Sequence, residues 1–578
     1  MASARLYKQR TWHLERTLRV IFWLITIVLG GCQTWANRHA MNPDGISYLN
    51  LADACTQGDW NRLINGYWNP LYPCLLRVSK LLLGPPPHLE FAVAHLAHFW
   101  TYLFAFFCYD LLLSQLIRHQ DVERAGSFEG RMRIPAWGML ALGYLLFLWS
   151  SLHLITISLI TPDYLVAASV YLASAVLLRI QRGKAPHRLF AGLGVILGFG
   201  YLAKAIMFPL AFVFLAVGLL AIGNWRHAWR PTLIALLAFL AVSGPYVLAL
   251  SASKGRFTFG DSGKLSYSWF LNGTSRYFHW QGEVPGNGTP LHPTRKISDA
   301  PVVYEFAGPI KGTYPPWQDP SYWHEGLKAY FDMKSQVRVV FESLKFYFAL
   351  YFYSYGLVFS CGLLVLCGVM VKNRILDIRY LFDGWALLIP AFAALGLYSL
   401  VHASNRLVAT FAAILYLGLF SGLRLVHSAG SEKLIQCVVF MMMATIGGML
   451  MAGEKPALAS VANDLMNREG SQMFEQWKLA ESLNLMGVRP GDRIAVIGDG
   501  FDAYYARLAG LQVAAEIPRG EAGKFWESDA NTQTKILDML ARNGIKCIVT
   551  ERVPAMTPTN DWKRLGETMW HARLIGAI

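Results

Sequence analysis

The feature that most restricts this chain is a series of long apolar segments separated by short charged connections. A helix that crosses the hydrocarbon core of a bilayer needs about 20 apolar residues. About eleven segments approach that length, near residues 17–36, 89–117, 134–153, 163–179, 189–203, 205–223, 232–251, 348–371, 382–401, 407–425 and 434–453. Only 15% of the 578 residues are charged and 54% are hydrophobic, whereas soluble domains carry about 25% charged residues. We therefore predict an α-helical polytopic membrane protein with about 11 transmembrane helices.

Basic residues are distributed unevenly among the connections, and this predicts the orientation. Lys and Arg concentrate in cytoplasmic loops. The basic connections are the N-terminus and the stretches 118–133, 179–188, 226–230, 372–379 and 424–433. All fall on one side if eleven spans are counted, which predicts an integral plasma (inner) membrane protein with a cytoplasmic N-terminus and an extracytoplasmic C-terminus. The formal charge of +15 is then explained by cytoplasmic loops that face lipid phosphates, and no nucleic acid partner is expected.

The same count divides the chain into two parts. Residues 1–453 form a transmembrane module whose outer loops are 37–88 and 252–347. We expect the first loop to form one or two helices in the membrane interface and the proline-rich second loop to form a folded lid. For residues 454–578 we predict a small extracytoplasmic α/β domain, because strand patterns at 492–498, 511–517 and 546–550 alternate with helical patterns.

Two other patterns in the sequence have little predictive value. The turn Gly498-Asp499-Gly500 lacks the third glycine of a dinucleotide-binding fingerprint, so an ordinary turn is favoured over a cofactor site. The eight cysteines contain no Cys-x-x-Cys pair. They therefore indicate no disulfide or metal framework.

Four charged residues stand out at the predicted outer ends of spans: Asp44, Asp163, Lys204 and Arg406. Each has an ordinary alternative. The two aspartates could cap helices, and the two cations could extend to the membrane surface. Ionisable residues at membrane depth nevertheless cost several kcal/mol and usually face a site.

Taken together, these residues suit one kind of chemistry. A carboxylate can accept the proton of an attacking hydroxyl, and Lys and Arg can hold a phosphate on which negative charge develops. Two carboxylates and two cations on the outer side therefore predict a transferase that acts on a sugar phosphate attached to a lipid.

At these residues the sequence resembles the GT-C superfamily of integral membrane glycosyltransferases, which use polyprenyl-phosphate-linked sugars. The bacterial branch related to protein O-mannosyltransferases and aminoarabinose transferases is similar over residues 17–430. The similar motifs are Asp44-Gly-Ile-Ser-Tyr-Leu with Gly58-Asp59-Trp60 and Pro70-Leu71-Tyr72-Pro73, Thr161-Pro162-Asp163, Gly198 to Lys204, and Arg406-Leu407 in place of Arg-Tyr.

The resemblance implies a GT-C fold and an inverting glycosyltransferase, a hexosyl- or pentosyltransferase. Asp44 would be the general base, and Asp163 would position the acceptor or stabilise the charge on the sugar. Lys204 and Arg406 would hold the leaving phosphate, and Tyr48 would line the cleft. The donor would be a polyprenyl-phosphate-linked sugar, and the acceptor is left open among glycan, lipid and protein.

The sequence also departs from other members of that superfamily. A single Asp163 stands where oligosaccharyltransferases have two acidic residues separated by one position, and their Trp-Trp-Asp-Tyr-Gly motif is absent from 454–578. No cofactor is expected and no metal is indicated. Two alternatives stay open, a polymerase or ligase of lipid-linked saccharides and a transporter or lipid flippase. Transporters usually carry repeats and midplane polar sites.

Overall fold

The computed structural model describes residues 2–126, 131–183, 187–274, 288–291, 294–306, 308, 310–322, 325–372, 382–426, 428–466, 475–554 and 561–575. Parts of the predicted basic connections at 118–133, 179–188, 372–379 and 424–433 lie outside these ranges. The first helices are α1 (Ala2–Ala36), α2 (Pro43–Thr56), α3 (Leu71–Leu83), α4 (Glu90–Gly126), α5 (Ala136–Leu148), α6 (Asp163–Gln181), α7 (His187–Ala203), α8 (Met207–Ala221), α9 (Trp225–Lys254) and α10 (Ser262–Phe270).

The remaining elements follow in the second half of the chain. Its helices are α11 (Pro315–Gln318), α12 (Met333–Phe352), α13 (Ser354–Lys372), α14 (Trp385–Ser399), α15 (Asn405–Ser421), α16 (Ala429–Met466), α17 (Glu475–Leu485), α18 (Tyr504–Leu508), α19 (Arg519–Glu527) and α20 (Ala530–Arg542). The strands of the molecule are β1 (Arg131–Met132), β2 (Thr294–Asp299), β3 (Val302–Phe306), β4 (Leu425–Val426), β5 (Arg493–Gly498), β6 (Gln512–Pro518), β7 (Ile545–Thr550), β8 (Lys563–Arg564) and β9 (His571–Leu574).

Six helical segments in the described part are long and apolar enough to cross a membrane: α1, α4, α5 with its π-helical extension Trp149–Ile155, α6, α9 and α16. The bent pair α12–α13 is a seventh if it counts as one span. The other four predicted segments form the shorter apolar helices α7, α8, α14 and α15, of 15 to 17 residues. Such helices extend about 22 to 26 Å, less than the ~30 Å hydrocarbon core. The helical membrane architecture is confirmed, and the count of eleven spans stays a prediction.

The outer loop 37–88 contains two helices, as expected, but only one suits the membrane interface. Helix α3 leaves Val78, Leu81, Leu82 and Leu83 more than half exposed. In contrast, ten of the 14 residues of α2 are buried. Of the one or two interfacial helices expected, the structure thus offers one, α3, because surrounding protein covers the apolar side chains of α2.

The second outer loop ends earlier than predicted, because α12 begins at Met333 rather than at the apolar run near 348. The apolar side chains of α12 alternate with charged ones such as Lys334, Arg338 and Glu342. Because of these charges, the first half of the helix contains no long apolar run in the sequence. Helices α12 and α13 meet at an angle of 70°. At this junction Ser354 adopts a φ of +49°.

The C-terminal strands predicted from sequence lie at the centre of a larger sheet. Its order is β2-β3-β6-β5-β7-β9-β8, and only the pairs β5–β6 and β5–β7 are parallel. Strands β2 and β3 come from the 252–347 loop and join through the antiparallel pair β3–β6. The expected small parallel sheet is thus the centre of a seven-stranded mixed sheet. Helix α16 also continues through residue 453, where the division between the two parts was drawn.

A network of ion pairs holds this sheet region against α2, α3 and α4. Arg507 of α18 bonds to Asp53 of α2 at 2.5 Å and to Glu90 of α4 at 2.7 Å. Lys80 of α3 contacts the same two carboxylates at 2.5 and 2.6 Å. The guanidinium of Arg507 also donates to Asn50 Oδ1 at 2.7 Å. Arg507 of the C-terminal domain therefore contacts both α2 and α4. It shares their carboxylates with Lys80 of α3.

Candidate active site

Asp44 lies in the first turn of α2, where its carboxylate meets the guanidinium of Arg406. The N-cap of α2 is Asn42, whose Oδ1 accepts the backbone N–H of Ile160 at 2.9 Å. Asp44 therefore does not occupy the capping position. Its Oδ2 accepts a hydrogen bond from Arg406 Nη1 at 2.8 Å, and its side chain is 31% exposed. The carboxylate is thus held by a cation and still accessible.

Asp163 is the first residue of α6, and its carboxylate is almost fully buried, with 5% of the side chain exposed. Its Oδ1 accepts a hydrogen bond from Lys204 Nζ at 2.5 Å. Its Oδ2 lies 3.9 Å from Arg406 Nη1 and has no hydrogen-bond partner among the residues that the structure describes. A buried charged oxygen without a hydrogen-bond partner is costly, and the guanidinium of Arg406 supplies an opposite charge nearby.

Lys204 stands at the break between α7 and α8, as the interrupted apolar run predicted. Helix α7 reaches this position by packing closely on α9. A Cβ added at Gly194 would lie 2.0 Å from the carbonyl oxygen of Ala235, and one at Gly198 would lie 2.6 Å from Val242 Cβ. These glycines of the Gly-rich segment therefore permit the helix contact that places Lys204.

The four charged residues predicted from sequence form one continuous series in space, in the order Asp44, Arg406, Asp163, Lys204. They come from the ends of four different helices, and Asp44 and Arg406 are 362 positions apart. Both cations contact carboxylates. The arrangement thus differs from isolated caps and from surface-seeking cations. It forms a compact set of two negative and two positive charges.

Tyr48 lies one turn after Asp44 on α2 and is 5% exposed. Its ring makes edge contacts with Trp68 and Tyr72, each with ring centroids 5.0 Å apart. Burial, together with the carboxylates of Asp44 and Asp163, holds the pKa of Tyr48 well above its usual value. Tyr48 is therefore a neutral phenol beside the charged set. Two aromatic residues of the 37–88 loop, Trp68 and Tyr72, thus pack against it.

The 252–347 loop and the C-terminal domain both pack beside α2. Trp317 of the loop accepts a hydrogen bond from Ser47 through its carbonyl oxygen, and its ring stacks on Tyr504 with centroids 5.9 Å apart. Burial and the nearby carboxylates of Asp502, Asp499 and Asp44 raise the pKa of Tyr504. Tyr504 was missed by the sequence analysis, because nothing in its local pattern indicates that a distant domain packs beside Asp44.

The residues within the described ranges include no group of three or more His, Cys, Asp or Glu side chains placed to hold a metal ion. The two carboxylates of the site are each engaged by a cation instead. The charges of the site therefore suit an anion as much as a cation.

Comparisons with known proteins add the following. No protein-family model and no curated protein matches the chain. The solved structure of ArnT from Cupriavidus metallidurans bound to undecaprenyl phosphate is similar over 96% of this chain and 98% of that one, at 15% identity and a TM-score of 0.42. The apo form of that ArnT is similar over 99% of both chains, at 13% sequence identity and a TM-score of 0.40. The Archaeoglobus fulgidus oligosaccharyltransferase, in complex with Zn and sulfate, is similar over 92% of this chain and 67% of that one. The sequence identity is 12% and the TM-score is 0.46.

Proposed function

We propose that this protein is an inverting glycosyltransferase that moves one sugar from a polyprenyl phosphate donor to an acceptor on the outer face of the membrane. The observation that supports this most is the series Asp44, Arg406, Asp163 and Lys204. It combines a partly exposed carboxylate with two cations at the outer ends of apolar helices. A lipid-anchored sugar phosphate presents its reacting group at that depth.

The reaction follows from the roles these groups can fill. The acceptor hydroxyl attacks the anomeric carbon of the donor sugar while the bond from that carbon to the phosphate oxygen breaks. Asp44 accepts the hydroxyl proton, and the electron pair of the broken bond leaves with the polyprenyl phosphate. Lys204 and Arg406 stabilise the charge on that phosphate. A single displacement of this kind inverts the anomeric centre.

Arg406 has a further role in this scheme, because it is bonded to Asp44 before the donor arrives. A donor phosphate that binds Arg406 competes with Asp44 for the guanidinium. Donor binding would thus loosen the hold on Asp44 and leave its carboxylate available to the acceptor. The Oδ2 of Asp163, which has no hydrogen-bond partner among the described residues, would accept a hydrogen bond from a hydroxyl of the sugar or the acceptor.

The substitution Asp44→Asn tests the proposal. The amide keeps the size of the side chain but cannot accept the proton. Since general-base catalysis contributes roughly 10²–10⁴-fold, transfer should fall by about that factor while the protein still folds and inserts. Mass spectrometry of envelope lipids and glycans, from cells with the wild-type or variant protein, measures the transferred sugar.

The matched control is Asp59→Asn. Asp59 lies in the same loop and pairs with Lys311 at 3.1 Å rather than with a member of the charged series. This variant should transfer the sugar normally. If Asp44→Asn forms as much product as the wild type, the role of Asp44 is refuted. If the wild-type protein forms no product but moves lipid across the bilayer, a flippase is favoured.

We further propose that the reaction needs no metal, because Lys204 and Arg406 already supply the positive charge that a divalent ion would bring to the phosphate. A chelator such as EDTA, applied to the purified protein with donor and acceptor, should leave turnover unchanged. Loss of turnover that Mg²⁺ or Mn²⁺ restores would contradict this.

A further inference from the structure

Two of the cysteines lie in contact, although nothing in their sequence spacing suggests it. Cys55 is near the end of α2 and Cys74 is in the first turn of α3, and their Sγ atoms are 3.8 Å apart. All eight cysteines of the chain are free thiols in the structure. The other six do not share such a contact within the residues that the structure describes. A disulfide has an S–S length of about 2 Å, so a small approach of the two sulfurs would join α2 to α3.

The surroundings of the two thiols differ in a way that suits disulfide formation. Cys55 is buried, whereas Cys74 is partly exposed. The hydrogen bond from Cys55 lowers the pKa of Cys74, burial opposes this effect, and the nearby cation Arg77 adds to it. A partly exposed thiol that ionises readily beside a buried one is the arrangement of an attacking and a resolving cysteine.

We propose that Cys55 and Cys74 form a disulfide in the mature protein, an inference that rests on the extracytoplasmic placement of the 37–88 loop in the proposed function. Extracytoplasmic compartments are oxidising and preserve disulfides, whereas cytosolic thiols stay reduced. Helix α2 carries Asp44 and Tyr48. The bridge would fix this helix to α3 beside the ion pair between Asp53 and Lys80.

The bond forms by thiol–disulfide exchange with a disulfide oxidant of that compartment. The thiolate of Cys74 attacks one sulfur of the oxidant, which releases one oxidant thiolate and leaves a mixed disulfide. Cys55 then loses its proton and attacks Cys74 Sγ, which releases the second thiolate. The cysteine pair loses two electrons and two protons in total, and the oxidant becomes a dithiol.

Mass spectrometry of the full-length protein tests this directly. Membranes are treated with iodoacetamide before any reductant, and the protein is digested with trypsin. Cleavage after Arg38, Arg62 and Arg77 separates the two cysteines into the peptides 39–62 and 63–77. We expect these peptides to be linked to each other, and to separate on reduction. Recovery of both peptides alkylated and unlinked overturns the proposal.

Cysteine variants test the disulfide independently of the proposed glycosyltransferase function. Cys74→Ser should leave Cys55 alkylated and should lower the thermal midpoint of the purified protein by several degrees, and reduction should lower the wild-type midpoint similarly. The control Cys547→Ser removes a buried thiol of β7 and should leave the linked peptides unchanged. The linkage is read whether or not sugar is transferred, so a linked but inactive protein would contradict only the proposed function.

Discussion

Arg406 is the residue at which the two carboxylates of the site meet. Its Nη1 is 2.8 Å from Asp44 and 3.9 Å from Asp163. A lysine at this position would carry the charge on a single ammonium and could not present the same planar set of donors. Arg406 thus does more than supply a positive charge at a helix end.

This geometry predicts the effect of exchanging the two cations. Lys204→Ala and Arg406→Ala should each lower donor affinity and reduce turnover by about 10²-fold or more, the usual loss for a preorganised donor to developing charge. Lys204→Arg and Arg406→Lys should retain part of the activity. The double alanine variant should lose less than the product of the single losses if both cations act on one phosphate. Titration with the polyprenyl phosphate donor and single-turnover rates measure these effects.

Lys311→Arg is the control for these swaps, because Lys311 is 54% exposed and pairs with Asp59 rather than with a residue of the charged series. It should behave as wild type. Donor affinity that is unchanged in both alanine variants would show that neither cation contacts the phosphate.

At the scale of elements, α2 connects the site to the C-terminal domain. Its first turn carries Asp44, while Asn50 and Asp53, further along the helix, bind Arg507 of α18. Burial disfavours the charge of Arg507, but Glu90 and Asp53 outweigh it and raise the pKa of Arg507 above its usual value. The position of α2 therefore depends on the domain that packs over it.

Arg507→Ala should consequently destabilise the protein. Among the described ion pairs it leaves Glu90 and Asp53 with Lys80, and removing one partner of a buried ion pair typically costs about 3–5 kcal/mol. Thermal unfolding of the purified protein should show a clear loss of stability, with reduced turnover because α2 is less well held. The control is Arg519→Ala, whose side chain is 67% exposed and pairs with Asp502, since such surface pairs contribute about 0–1 kcal/mol. Equal stability of the two variants would contradict the role of the network.

At the scale of the whole molecule, the proposed reaction requires that α2, the 252–347 loop and the C-terminal domain share one side of the membrane. The contacts of Trp317 with Ser47 and of Arg507 with Asp53 place these parts together. The basic connections predict that this is the outer side, because Lys and Arg concentrate in cytoplasmic loops.

Reporter fusions test this orientation. A reporter that is active only outside the cytoplasm should be active after residue 578 and inactive on a chain truncated near residue 430. A cytoplasmic reporter should give the opposite result. A cytoplasmic C-terminus would remove the site from the outer face, and the proposed reaction with it.

The sequence by itself determined the features that depend on local composition. Apolar runs predict the membrane helices because apolar length is what a bilayer requires. Alternating patterns likewise predict β5, β6 and β7. Asp44, Asp163, Lys204 and Arg406 could be singled out because each is a charge placed where charge is costly.

Only the tertiary structure decided which of these residues meet. It paired Asp44 with Arg406 across 362 positions, buried α2 under its neighbours, added β2 and β3 to the C-terminal sheet and brought Cys55 against Cys74. It also showed that α12 begins at Met333, before the apolar run near 348; the charged residues among its apolar ones kept this start from being read in the sequence. Burial cost and periodicity belong to a residue and its near neighbours, and so they can be read along the chain. Contacts between distant residues depend on how the helices and the sheet pack together, which no local pattern records.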